Sequence, residues 1–119
     1  MLKESYVAQL KSLPKNAVKI AVGYPTVFSP SEPLLREFNE MKSTLMREGM
    51  DEPDARTRAW QHTDFEKRYR KEIESKPDVI RQLHEIQELA EKKDVYLYCY
   101  CGKTPCHRFI LIDMIQQMK

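Results

Sequence analysis

No stretch of this 119-residue chain approaches the roughly 20 consecutive apolar residues that a membrane-spanning helix needs. Neither sign of charge dominates: 20 Lys and Arg against 18 Asp and Glu leave a formal net charge of +2. That is too little to draw the chain to nucleic acid or an anionic membrane on composition alone. Cysteine is scarce and odd in number, three in all, two of them separated by a single residue. Such a set is a poor disulfide framework and fits thiol or metal chemistry in a reducing compartment. Repeats, low-complexity tracts and interdomain linkers are also missing. The opening Met1-Leu-Lys-Glu-Ser5 has no apolar centre of the kind a signal peptide carries. These absences predict a cytoplasmic protein with no membrane partner, folded as one domain over residues 1–119 around one core.

What is present divides into helical and strand-like periods. Leu2, Tyr6, Leu10 and Leu13 fall near one helical face before Pro14, which predicts a short amphipathic helix at the start. Val18, Ile20 and Val22 alternate as a strand requires, and Gly23 and Pro25 end it. Ser29-Pro-Ser-Glu-Pro33 offers two helix starts, with Ser29 or Ser31 as cap. The helix that follows carries Leu34, Phe38, Met41 and Leu45 and runs out near Gly49. Ala55, Ala59, Phe65, Tyr69 and Ile73 support another helix, with an interruption at Gln61-His-Thr63. Pro77 opens the next, whose apolar face is Val79, Ile80, Leu83, Ile86 and Leu89.

From Asp94 the period changes from helical to alternating. Val95, Leu97, Cys99 and Cys101 share one face of a second strand, and Tyr96, Tyr98 and Tyr100 the other. A last helix, from Thr104 or Pro105 to about Met118, is apolar around much of its circumference. The order implies an α/β domain, a small Rossmann-like parallel sheet with several helices, in which two strands are joined by a helical crossover. Two strands make a small sheet, so a cryptic third strand or a homodimer would complete it. The loops leaving the carboxyl ends of the two strands then share one edge.

The chemistry collects at that edge, in Tyr96-Leu-Tyr-Cys-Tyr-Cys-Gly-Lys-Thr-Pro-Cys-His-Arg108. With Thr104 as cap and Pro105 first, Cys106, His107 and Arg108 occupy the first turn of the last helix. Exposed amides and the helix dipole there favour a thiolate and attract phosphate or carboxylate. Cys106, His107 and Arg108 are therefore the candidate catalytic residues. Cys106 is the reactive thiol, or a small residue beneath an anion pocket, and His107 is the acid or base. Two consecutive helical residues point about 100° apart, so Cys106 and His107 are expected to share a ligand poorly. Arg108, Thr104, Ser29 and Ser31 are the candidate anion-binding residues, and Cys99 and Cys101 the candidate thiol partners.

Other readings of the same segment are weaker. Cys99, Cys101, Cys106 and His107 are zinc-type donors, but their spacing departs from paired C-x-x-C knuckles, so no metal site is assigned. Gly102-Lys-Thr104 looks like the end of a phosphate-binding P-loop, yet the earlier glycine it requires is Leu97 and a proline follows the threonine. Rhodanese and cysteine-phosphatase loops are analogous, but Cys101 to Arg108 is one residue too long for the phosphatase spacing. Trp60, Phe65 and Tyr69 with Arg56, Arg58, Arg68 and Arg70 could stack on bases and contact phosphates. The interleaved Asp64, Glu66, Glu72 and Glu74 argue instead for core aromatics beside a solvated face.

The Cys-His-Arg triplet at Cys106, His107 and Arg108 follows the strand, and a Thr26-Val-Phe-Ser-Pro-Ser-Glu-Pro-Leu-Leu35 block precedes an aromatic helix. With these features the chain resembles the uncharacterised domain family catalogued as number 488, and its short Lys-rich form is similar to archaeal members. The resemblance covers most of the chain and implies a compact Rossmann-like α/β domain with the triplet at a strand-to-helix junction. It supplies no established activity and no cofactor. The expected function is a small enzyme or ligand-binding domain for a phosphorylated or nucleotide-like molecule. A nucleic-acid interaction module and a zinc-stabilised domain are the alternatives.

Overall fold

The computed structural model describes residues 1–100 and 102–118. Its sheet has three parallel strands, β1 (Leu2–Tyr6), β2 (Val18–Ala21) and β3 (Val95–Cys99), in the order β1-β3-β2. Five α-helices accompany it: α1 (Glu32–Arg47), α2 (Glu52–His62), α3 (Phe65–Glu74), α4 (Pro77–Lys92) and α5 (His107–Gln116). This is the α/β class expected from the sequence, with one element exchanged. Residues 2–13, expected as a helix, form β1 followed by a 3-10 turn over Val7–Ser12. Pairing decided the matter: Leu2 lies opposite Val95 and Tyr6 opposite Cys99, so β3 satisfies the β1 backbone, while Ser5 is wholly buried. Apolar residues four apart fit a helix, but a strand whose alternate side chains are Leu2, Glu4 and Tyr6 fits them too. The cryptic third strand is thus the first segment of the chain.

β3 is the central strand, and Val95 and Leu97 are fully buried. Its other neighbour, β2, sets Val18 opposite Val95 and Ala21 opposite Tyr98, and Val22 N–H continues the ladder to Tyr98 O at 2.9 Å. The two strands therefore end side by side at the same edge. Leu83, Leu97, Leu111 and Ile73 are fully buried in the cluster that joins α3, α4 and α5 to the sheet. Truncating one such side chain to Ala costs about 2–5 kcal/mol.

Local signals set the helix ends. Ser31 Oγ accepts from Leu34 N–H, making Ser31 rather than Ser29 the cap of α1. Gly49, at φ 101°, closes that helix in the left-handed conformation that glycine adopts without a Cβ clash. Asp51 caps α2 by accepting from Asp54 N–H at 3.0 Å. The interruption expected near His62 is present: α2 stops there and α3 starts at Phe65, with Asp64 at φ 52° between them. Among the helices described, none is long and apolar enough to cross a membrane.

Candidate active site

β3 ends at Cys99 and α5 begins at His107, two residues later than Thr104 and Pro105 lead one to expect. Cys106 occupies the cap position in extended conformation, at φ −149° and ψ 149°. The displacement has a visible cause. Pro105 O accepts from Arg56 Nε at 3.0 Å and Nη2 at 2.7 Å, and the first helical turn closes instead from Phe109 N–H to Cys106 O at 3.2 Å. The Thr104–Pro105 peptide is cis.

An extended Cys106 removes the geometric objection to a cysteine and histidine in sequence. Outside the helix its side chain is freed from the 100° step, and Sγ lies 3.7 Å from His107 Nδ1. The far side of the ring is held by the end of β2, with His107 Nε2 2.6 Å from Val22 O. A backbone carbonyl only accepts, so Nε2 carries a proton, and in the neutral form of the ring Nδ1 is the acceptor that faces the thiol. The ring is further fixed by the edge of Tyr69, 5.5 Å between centroids at 73°. Tyr69 in turn donates to Phe28 O at 2.6 Å. Burial pushes the Tyr69 phenol far above its ordinary range, and negative charge at Cys106, Glu72 and Cys99 adds to the rise. Tyr69 therefore stays neutral and serves as a support.

Cys99 completes the group. Its Sγ, Cys106 Sγ and a His107 ring nitrogen all lie within 4.8 Å of one another, and all three residues are buried. Gly23 makes room for this: a Cβ there would come within 3.2 Å of Cys99 Sγ and 3.4 Å of the Tyr100 ring. The same three atoms are donors of the kind that a thiophilic ion such as zinc takes.

The group opens on a cleft of about 250 Å³, whose walls include Phe38, Trp60 and Phe65 as well as Arg56, with Tyr24 and Tyr100 exposed among its lining. Trp60 and Phe65 stack at 4.0 Å, and the Arg56 guanidinium lies 5.4 Å from the Phe38 ring centre. A second cleft, of about 360 Å³, also reaches Cys106, along Trp60, Phe109 and the Arg70–Asp113 pair. Apolar walls with a few convergent polar groups are the usual make-up of a small-molecule site.

The remaining expected residues are distributed as follows. Arg108 is buried at 1% exposure, its Nε 3.8 Å from Glu4 Oε2 on β1 and its guanidinium 4.6 Å from the Phe109 ring centre. Arg108 lines neither of the two clefts. Thr104 lines the second cleft beside Pro105 and Cys106. Ser31 is engaged by the protein's own anion: its N–H and hydroxyl donate to Glu72 at 2.8 and 2.5 Å. Ser29 Oγ accepts from Thr26 N–H at 2.8 Å and donates to Gly23 O at 3.3 Å, inside its own loop. Cys101, expected as a thiol partner, lies outside the described residues.

Of the basic and aromatic residues considered together, Arg56, Trp60 and Phe65 meet at the cleft. Tyr69 is core, and Arg68 and Arg70 pair with Glu37 and with Glu66 and Asp113. Val22 O was missed altogether, because a carbonyl has no residue signature. The shared edge of parallel strands was the one signal that placed the loop after Val22 beside the loop after Cys99.

The parallel sheet, the strand-to-helix cysteine and the imidazole clamped against the neighbouring strand define an α/β protein with a thiol–imidazole site. The chain belongs to the DUF488 family: a family model described as the active DUF488-N3 subclade matches residues 11–119. The match takes in β2, β3 and the whole site, while β1 lies ahead of it. No curated protein and no solved structure matches the chain.

Proposed function

We propose that this protein is a small thiol enzyme in which Cys106 is the nucleophile, His107 its base, and the aromatic cleft the seat of a nucleotide-like or phosphorylated ligand. The observation that carries this reading is the His107 Nε2 contact with Val22 O, which leaves Nδ1 as the acceptor facing Cys106 Sγ. In the proposed step the thiol proton passes to Nδ1, Sγ forms a bond to the electrophilic atom of the ligand, and the departing group takes the proton back from the imidazolium. Cys106 stands at the start of a ten-residue helix, whose amides favour negative charge on Sγ. Arg56, already bonded to Pro105 O, puts positive charge at the cleft wall, and the exposed rings of Tyr24 and Tyr100 offer faces to a planar base. The matched subclade is described as active, in keeping with an enzyme.

The test is iodoacetamide alkylation of each cysteine as a function of pH, followed by peptide mass spectrometry, with and without a panel of nucleotides and inorganic phosphate. Cys106 is expected to react at least tenfold faster than Cys99 near neutral pH, to lose most of that advantage in His107→Gln, and to be protected by at least one nucleotide. Equal, slow reaction of all thiols with no protection would overturn the proposal.

A further inference from the structure

Two thiols lining one cleft within 4.8 Å of each other do more than one thiol beside a base. We infer that Cys99 is the resolving partner of Cys106, so that the site is a modification site for hydroperoxides, shut off reversibly by a Cys99–Cys106 disulfide. This rests on the reading of Cys106 as the reactive thiol. The two Sγ atoms lie within 4.8 Å of each other, at the end of β3 and at the cap of α5. Closing to an S–S bond of about 2.05 Å asks each sulfur to move by roughly 1.4 Å at most. Residues 102–106, which precede α5, are outside any helix or strand, so movement of Cys106 breaks no ladder. Both side chains line the same 250 Å³ cleft, which admits a small peroxide to either sulfur.

Each step balances. Cys106–SH gives its proton to His107 Nδ1, and the thiolate attacks the terminal oxygen of a hydroperoxide ROOH. The O–O bond breaks, Cys106 becomes a sulfenic acid, and the alkoxide takes the proton from the imidazolium to leave as ROH. Cys99 sulfur then attacks Cys106 sulfur, and the displaced hydroxyl leaves as water with the Cys99 proton. Two thiols and one hydroperoxide become one disulfide, ROH and water. A dithiol reductant returns both cysteines to thiols and is itself oxidised to a cyclic disulfide. The buried position of both sulfurs suits this role: Cys99 is at hand to trap the sulfenic acid before a second peroxide carries it to the irreversible sulfinic state.

The experiment treats the full chain with one equivalent of hydrogen peroxide, alkylates, and digests with trypsin. Cleavage after Lys103 leaves Cys106 in the peptide 104–108, apart from Cys99 and Cys101 in 94–103. A parallel Cys101→Ser chain removes the competing thiol. The expected result in both chains is a loss of two hydrogens, a cross-link from Cys99 to Cys106, and full reversal by dithiothreitol. Cys99→Ser should accumulate a Cys106 sulfenic acid that dimedone captures. A dimedone adduct on Cys106 with Cys99 still alkylatable in the Cys101→Ser chain would overturn the resolving role and leave the reactive thiol intact. A wild-type cross-link running from Cys101 to Cys106 would do the same. A Cys106 that resists both peroxide and iodoacetamide would overturn both readings, and stoichiometric zinc on metal-free purification, with oxidation only after chelation, would replace them by a metal centre.

Discussion

The N-termini of α1 and α5 were both expected to contribute to an anion site, and the molecule finishes them in opposite ways. At α1, Ser31 caps the helix, and its N–H and hydroxyl are both taken up by the Glu72 carboxylate from α3. The positive end of that helix already has its negative partner, supplied internally. At α5 the cap position holds a cysteine whose side chain makes no capping hydrogen bond to the helix and instead lies beside an imidazole at the wall of a cleft. One terminus is closed by the protein's own carboxylate, and the other leaves its cap side chain at the wall of a cleft. Sequence makes both look alike, a small polar side chain near a proline before an apolar run. What separates them is a carboxylate 41 residues away.

The same division runs inside the Cys-His-Arg triplet. Cys106 and His107 line the aromatic cleft, while Arg108 turns toward β1 and Glu4. Arg108→Ala should cost about 3 kcal/mol or more of unfolding free energy in urea, because it leaves a cavity where a side chain only 1% exposed was packed. It should leave the alkylation rate of Cys106 in the folded protein within about twofold of wild type. A stable variant with a slow Cys106 would return Arg108 to the site. Glu72→Gln tests the closed terminus: weakening two hydrogen bonds to a charged acceptor should cost about 1–2 kcal/mol. Cys106 reactivity should not change, since Glu72 serves α1. A nucleotide that bound more tightly to Glu72→Gln, at α1, would show that terminus to be an anion site held shut.

How much of this was legible depended on how local each signal was. The cap and stop of α1, the opening of α4 at Pro77, the break near His62 and the start of β3 rest on neighbours in sequence, and each is where the pattern placed it; β3 itself ends at Cys99, short of the expected Cys101. β1 was not legible because Leu2, Tyr6 and Leu10 satisfy a helical period, while the hydrogen bonds that make them a strand come from residues 95–99. The start of α5 was misplaced for a similar reason. Thr104-Pro105 is a sound local opening, but Arg56, on α2, claims the Pro105 carbonyl and moves the helix start to His107. That two-residue shift is what brings Cys106 and His107 face to face. The meeting of the two strand ends and the α5 start at one edge was therefore readable in the sequence, and the geometry there was not.

Tyr69 connects the two termini, since it hydrogen-bonds Phe28 ahead of α1 and packs its ring against His107 at α5, and it gives the smallest of these effects. Tyr69→Phe keeps the ring and removes the hydroxyl, so Phe28 O loses its donor and stability at neutral pH should fall by about 1 kcal/mol. The pH dependence follows from the direction of the shift. Because the folded phenol titrates far above its usual value, its contribution is fully present below about pH 10, the unfolded value, and declines as pH rises beyond it. Above that pH the unfolded chain releases a proton that the folded chain keeps. Urea unfolding of both proteins at about pH 8 and pH 11 should therefore show the gap between wild type and Tyr69→Phe narrowing at the higher pH. A gap that stays constant or widens would mean that the phenol ionises in the folded protein, and that the support behind His107 carries charge.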